Sequence, residues 1–436
     1  DFPWFRTLHS LAYSCLGVGS KDIMSSADYT EFAKSVGLEV STSTDGDDFV
    51  IRADNAILNE INIARIRGED LQAYYNKSNL EIEWFHFEYI ERSYRKFKES
   101  KMLMDFTDLL EQLVGQPERL PTLQALIIDE AQDLSKLQWR IVMQLEERAQ
   151  HTWIAGDDDQ AVYIWAGADV ESFLSCEGEI RILNQSYRVP SKIHSFADKI
   201  VQRIKRRQPK KWTPRTEGGE ITYYNDFQQV DISSGQWLVM AATNYMLNDM
   251  HDWIKSQGLL FERHGHKSVS EAVLTAVIGW ERLRAGQSIN YSMLKQVYKQ
   301  LGAGTVERGY KMLKEARPED MFSMDDLKKN HGLQTEAIWH EALGKIGEDK
   351  RDYLIAVLRR GTKLSAKAPI QLSTIHGAKG GEADNVLLLT DLSPRFAKEY
   401  EYNADSLHRL LYVGVTRTRQ ALHIVLPKKA ERGFRF

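Results

Sequence analysis

An apolar run that stops abruptly at paired carboxylates is the feature of this sequence best suited to chemistry: Leu126-Ile127-Ile128-Asp129-Glu130-Ala131-Gln132-Asp133. Leu123 to Ile128 is too short for an independent helix and rich in apolar and β-branched residues, which predicts a central strand of a buried parallel sheet. Asp129 and Glu130 then lie just past its carboxyl end, where open α/β sheets bind ligands. An acid there holds a divalent metal directly or through water, and its neighbour orients and deprotonates an attacking water. The chemistry implied is metal-assisted phosphoryl transfer. Taken alone, an Asp-Glu pair is equally compatible with a solvated strand-to-helix turn.

Other clusters narrow the choice. His151 to Ala155 is a second short apolar run, ending in Gly156-Asp157-Asp158-Asp159-Gln160 and followed by Ala161-Val162-Tyr163-Ile164-Trp165-Ala166-Gly167-Ala168. Then come Asn184-Gln185-Ser186-Tyr187-Arg188, Ser373-Thr374-Ile375-His376-Gly377-Ala378-Lys379-Gly380-Gly381-Glu382 and Leu411-Tyr412-Val413-Gly414-Val415-Thr416-Arg417-Thr418-Arg419. Upstream lie Thr7-Leu8-His9-Ser10 and Asp105-Phe106-Thr107-Asp108-Leu109-Leu110.

In order and spacing these segments resemble the motor motifs of UvrD/Rep/PcrA-type superfamily 1 helicases. D-E-A-Q-D looks like motif II, G-D-D-D-Q with Y-x-W like motif III, Q-S-Y-R like motif IV, T-I-H-G-A-K-G-x-E like motif V and Y-V-G-V-T-R like motif VI. The resemblance runs from the first residues to about Leu426, with long intervals that carry no signature. It implies an α/β fold with two RecA-like P-loop NTPase motor domains, each built on a parallel sheet and carrying an inserted helical subdomain. It also implies ATP and Mg²⁺, with ATP between the motor domains, and single-stranded DNA and ss/ds DNA junctions as partners. Movement would be 3′→5′, a polarity the residues themselves do not show.

Strand-end chemistry and resemblance agree on Asp129 as the Mg²⁺ ligand and Glu130 as the base. Gln160 resembles the residue that reads the terminal phosphate, a task suited to an amide that donates and accepts at once; a structural turn amide is the alternative. Arg188 and Arg417 resemble the two arginines that stabilise charge on the transferring phosphate. Arg419 reads equally as a surface charge. The resemblance implies adenine stacking for Tyr187, ribose contact for Glu382 and nucleotide binding for Gly380 beside it. For DNA it implies Trp165 and Tyr163, with Trp165 the base-stacking candidate, and His9, Thr374 and His376 as backbone contacts. His264-Gly265-His266 lacks further ligands at metal spacing and reads as a loop.

The sequence departs from the family in three places. Ala166 stands where an arginine commonly follows the motif III tryptophan, and Gly381 replaces a common apolar residue. No phosphate-binding G-x-x-G-x-G-K-[ST] loop occurs; Gly17-Val18-Gly19-Ser20-Lys21 has the wrong spacing and reads as a surface turn. Truncation before Asp1 is the simplest explanation, and it predicts that this chain alone is inactive.

Composition sets outer bounds. A chain of 436 residues that is 42% hydrophobic exceeds one core, so two or more domains are expected. Two distant cysteines, Cys15 and Cys176, offer neither a disulfide framework nor a metal pair, and predict a reducing, cytoplasmic setting. No run approaches transmembrane length. The net charge of −4 does not by itself announce a nucleic-acid binder. The basic stretch from Arg203 to Lys211 would either track a phosphate backbone or form a solvated helix end.

The expected organisation places the first motor domain at 1–14 and 104–188, with a helical accessory subdomain at 15–103 that includes a loop from Ser41 to Asp48. The second motor domain takes 189–261 and 368–436, around a helical insertion at 262–367. Strands are predicted at Glu220 to Tyr224, Gln236 to Ala242, Ile370 to Thr374, Asn385 to Thr390 and Leu422 to Leu426. The expected function is an ATP-dependent DNA helicase or translocase of repair or replication. The rival is a catalytically inactive, helicase-derived DNA-binding or scaffolding protein. A helicase-nuclease finds no support, since the sequence ends soon after motif VI.

Overall fold

A computed structural model describes residues 5–45, 50–78, 80–216, 218–313 and 317–436. The chain divides into two compact units, Asp1–Ile182 with Lys205–Lys210, and Leu183–Ile204 with Lys211–Phe436.

The first unit runs α1 (Leu8–Leu16), α2 (Ser26–Ser35), β1 (Ser41–Asp45), β2 (Val50–Asp54), α3 (Ala56–Arg67), α4 (Leu71–Lys77), α5 (Trp84–Lys101), α6 (Phe106–Val114), β3 (Leu123–Ile128), α7 (Lys136–Glu146), β4 (Ala149–Ile154) and α8 (Val170–Leu174). Helix α1 starts at Thr7, whose hydroxyl accepts from the Ser10 N–H, and stops at a left-handed Gly17. It packs on α6 in a core of Leu11, Ala12, Leu109, Leu110 and Leu113, so the boundary expected at residue 15 would cut a helix that belongs to this core. The chain leaves that core at Ile23 and re-enters at Met104; the two form a bridge in which Met24 N–H reaches the Met104 carbonyl at 2.9 Å. Between them a separate core of Met24, Phe32, Ile61, Phe87 and Ile90 holds the inserted helices. The loop expected over Ser41 to Asp48 is instead β1, paired antiparallel with β2, while residues 46–48 and 1–4 lie outside the described residues.

Strands β3 and β4 form a parallel pair with Ile128 opposite Ile154, which brings the two acid-bearing turns side by side. One face joins the α6 and α7 core through Leu126. The other is open: Ile127 is 71% and Trp153 53% exposed. The sequence predicts a central strand buried on both faces. Among the described residues β3 has only β4 beside it, and the alternation of exposure follows.

The second unit runs β5 (Gln185–Pro190), α9 (Ser191–Val201), β6 (Thr213–Arg215), β7 (Glu220–Tyr224), β8 (Trp237–Ala241), α10 (Asn248–Ser256), β9 (Phe261–Arg263), β10 (His266–Lys267), α11 (Glu271–Arg284), β11 (Ile289–Asn290), α12 (Tyr291–Gln300), β12 (Met321–Phe322), α13 (Met324–Asn330), α14 (Trp339–Ala342), α15 (Glu348–Arg359), β13 (Ile370–Thr374), β14 (Ala383–Leu389), α16 (Pro394–Glu399), α17 (Ala404–Thr416) and β15 (Thr418–Val425). Its sheet has the order β10-β9-β13-β8-β14-β15-β7, parallel throughout except at the β10 edge. Strands β9 and β10 carry it to Lys267, past the boundary expected at 261, and the helical run begins at α11. The central β8 is buried at every position, as befits a strand covered on both faces.

The fold is therefore mixed α/β with parallel sheets. Tyr187 and Arg188 lie in the second unit, on β5, rather than ending the first. Among the described residues no helix is long and apolar enough to cross a membrane.

Candidate functional site

The first unit gathers its acids where β3 and β4 end. Ala155 N–H donates to the Ile128 carbonyl at 2.8 Å and Ala131 N–H to the Ala155 carbonyl at 3.0 Å, stitching the two turns together. Asp129 and Glu130 are both exposed. Glu130 sits in the left-handed region at φ 51°, an unusual conformation for a residue with a β-carbon and a common mark of functional turns. Its N–H donates to Asp129 Oδ1 at 2.9 Å.

Behind them lies Gln132, wholly buried. Its Nε2 donates to Glu130 Oε2 at 2.6 Å, and its Oε1 accepts from the Asp157 N–H at 2.9 Å. The Asp157 carboxylate in turn accepts from Gln160 Nε2 at 2.6 Å. One hydrogen-bonded path thus joins the Glu130 carboxylate to the Gln160 amide. Gln132 stands within D-E-A-Q-D, an amide between two acid clusters, and the motif alone gives it no role.

Farther along the same loop, Trp165 is 55% exposed on a tight turn, with Tyr163 partly buried before it. Helix α3 holds this turn: Arg67 Nη2 donates to the Ile164 carbonyl at 2.9 Å. Gly167 has φ +99°, and a β-carbon there would fall 2.5 Å from Ile66 Cδ1. Helix α3, without catalytic signature in the sequence, therefore supports the aromatic turn. His9 is partly buried, edge-on to Phe106 with ring centres 5.8 Å apart.

A second group belongs to the other unit. Tyr187 is 84% exposed, presenting its ring to solvent. Beside it Arg188 Nη1 lies 3.5 Å from Glu382 Oε2, and Arg419 Nη1 donates to Glu382 Oε1 at 2.8 Å. Glu382 thus bridges two arginines, and Arg419, which the sequence leaves as a surface charge, is part of the cluster. Arg188 Nε is buried with no hydrogen-bond partner among the described residues, a donor that an anionic ligand would satisfy. Arg417 is 2% exposed at the end of α17, with Nε donating to the Val413 carbonyl at 3.1 Å. Thr374 ends β13, and His376, partly buried like it, and the exposed Gly380 follow on the next turn, where Thr374 Oγ1 accepts from the Gly377 N–H at 3.0 Å.

A family model described as the UvrD/REP helicase N-terminal domain matches residues 2–181, and the UvrD-like helicase C-terminal domain matches residues 342–429. The chain belongs to the UvrD-like helicase family. Among its UvrD-like relatives, the ATP-dependent DNA helicase PcrA of Bacillus subtilis is 32% identical over 160 residues, 33% of this chain and 22% of that protein. PcrA of Staphylococcus aureus is 32% identical over 142 residues, 29% of this chain and 20% of the relative. PcrA of Staphylococcus epidermidis is 29% identical over 164 residues, 34% and 22% respectively. The chain thus spans about a fifth of the length of the curated UvrD-like relatives it matches.

Proposed function

We propose that this chain is the motor portion of an ATP-dependent DNA helicase or translocase that moves on single-stranded DNA, in the 3′→5′ direction its family resemblance implies, and unwinds ss/ds junctions. The observation that carries the reading is the Glu130–Gln132–Asp157–Gln160 path, which couples a base for water to an amide suited to reading the terminal phosphate. The residues suit the group they would hold: Asp129 offers a hard carboxylate oxygen for Mg²⁺, and the ion would neutralise phosphate charge there. Arg188, with its unsatisfied Nε, and Arg417 supply cationic donors to the phosphate. Tyr187 is exposed enough to stack on the base, and Glu382 and Gly380 contact the sugar side. Trp165 stacks on the strand, with Tyr163, His9, Thr374 and His376 on its backbone.

We further propose that these 436 residues alone turn over ATP poorly, because their sequence has no phosphate-binding loop. The test is ATP hydrolysis by this chain, with and without single-stranded DNA, before and after fusion of a family phosphate-loop segment. DNA-stimulated turnover that appears on fusion supports the motor. Turnover by the unfused chain refutes the second proposal. No turnover in either form, with DNA binding retained, favours a non-catalytic scaffold.

A further inference from the structure

The basic stretch from Arg203 to Lys211 is, from sequence, either a phosphate track or a solvated helix end. Its middle, Lys205–Lys210, belongs to the first unit and serves neither purpose alone. Arg207 donates from Nε and Nη2 to the two oxygens of Asp159, at 2.7 and 2.6 Å. The Gln208 N–H reaches Asp158 Oδ2 at 2.9 Å. Lys210 Nζ lies 2.8 Å from Asp157 Oδ1 and 3.0 Å from Asp159 Oδ2, and pairs with Asp158 as well. The Asp158 and Asp159 side chains are only 2% exposed.

Three neighbouring carboxylates, with one oxygen each within 4.8 Å of the others, have the look of a metal cluster. Here the Lys210 ammonium and the Arg207 guanidinium serve them. Burial works against the charged lysine, but Asp157, Asp159 and Asp158 outweigh it and hold the Lys210 pKa above the ordinary value. Removing the ammonium leaves Asp159 its Arg207 pair and Asp158 its Gln208 N–H contact but takes away the cation that touches all three carboxylates.

The Asp157 carboxylate is shared. Oδ1 faces Lys210, whereas Oδ2 accepts from Gln160, and the Asp157 N–H holds Gln132 against Glu130. We infer that Lys210 is a positioning residue: its ammonium fixes Asp157, and Asp157 aims Gln160 on one side and, through Gln132, Glu130 on the other. The inference rests on the ATP-hydrolysing reading of those two residues. A mere staple for the segment would be served as well by Arg206, which pairs with Glu171 at 2.6 Å, away from Asp157.

The experiment compares Lys210→Met, Lys210→Arg and Arg206→Gln in the full chain fused to the family phosphate-loop segment, by ATP turnover and by amide hydrogen exchange with the nucleotide absent. Lys210→Met is expected to lower kcat at least about tenfold with KM for ATP held within about threefold, because aim rather than binding is lost. Lys210→Arg recovers most of the loss, and Arg206→Gln causes none. Exchange at the Asp159 and Gln160 amides should quicken about tenfold or more in Lys210→Met while the α6 and α7 amides keep wild-type rates. Wild-type kcat in Lys210→Met overturns the inference, as does an equal loss in Arg206→Gln or faster exchange throughout the unit. If the fused wild type does not hydrolyse ATP, the functional reading fails, and the exchange pattern alone decides whether Lys210 positions Gln160.

Discussion

Gln132 donates its side-chain amide to Glu130 Oε2 at 2.6 Å from a wholly buried position. A carboxylate held this way has one oxygen fixed by a buried amide. Because the held atom is an acceptor, an amide at position 130 can keep the contact while losing the basicity.

In the chain fused to a family phosphate-loop segment, Glu130→Gln is therefore expected to preserve the turn and nucleotide affinity while lowering kcat by roughly 10²–10⁴-fold, the span attributed to general-base catalysis. Steady-state hydrolysis and equilibrium nucleotide binding check the two halves separately. Normal turnover would remove Glu130 as the base.

Gly156 lies where the Gln132 path passes closest to the backbone. A β-carbon there would fall 2.5 Å from Gln132 Oε1 and 2.9 Å from Phe173 Cζ. Gly156→Ala should push Gln132 away from its partners and destabilise the chain by about 1–3 kcal/mol, the usual cost of overpacking. Denaturant melts measure the stability, and kcat of the fused chain should fall with it. An unchanged midpoint and unchanged kcat would show that the site yields freely.

Trp165 offers an exposed indole on a turn tied to Arg67 and backed by Ile66. Trp165→Ala should weaken single-stranded DNA binding by about 1–3 kcal/mol, whereas Trp165→Phe keeps part of it, since stacking needs a π-face. Fluorescence anisotropy with a labelled oligonucleotide reads both. Equal affinity for all three proteins would place the strand elsewhere.

His423 on β15 is packed between Trp237, with ring centres 4.9 Å apart, and Tyr224, whose hydroxyl lies 3.1 Å from Nδ1. Burial holds its pKa below the ordinary value of 6.5, with Glu220 pulling weakly the other way. The folded state therefore prefers the neutral ring. As pH falls through 6.5 the unfolded chain takes up its proton first, so the stability His423 contributes is complete above that pH and is lost as pH falls toward the folded value. Burial depresses His251, His264 and His408 in the same direction. The melting temperature should thus fall from pH 7 to pH 5, and more shallowly in His423→Gln, by thermal melts across that range. A wild-type slope in the variant would assign the dependence to the other histidines.

Much of this chain was legible because its information is local. Apolar runs located β3 and β13 to the residue, the Gly218-Gly219 turn did the same for β7, and the β3 run placed Asp129 and Glu130 past a strand end. Ordered motifs named the family without any contact being known. Alternation and propensity say less about neighbours. They did not distinguish the β1–β2 pair from a loop, carry the second sheet out to Lys267, or leave Ile127 and Trp153 on an open face. Tertiary structure alone decided the charges: Arg207 meets Asp159 across 48 positions and Lys210 meets Asp158 across 52. An ion pair depends on where two distant segments are brought together, and charge composition reads the same whether a lysine faces phosphate, water or three buried carboxylates.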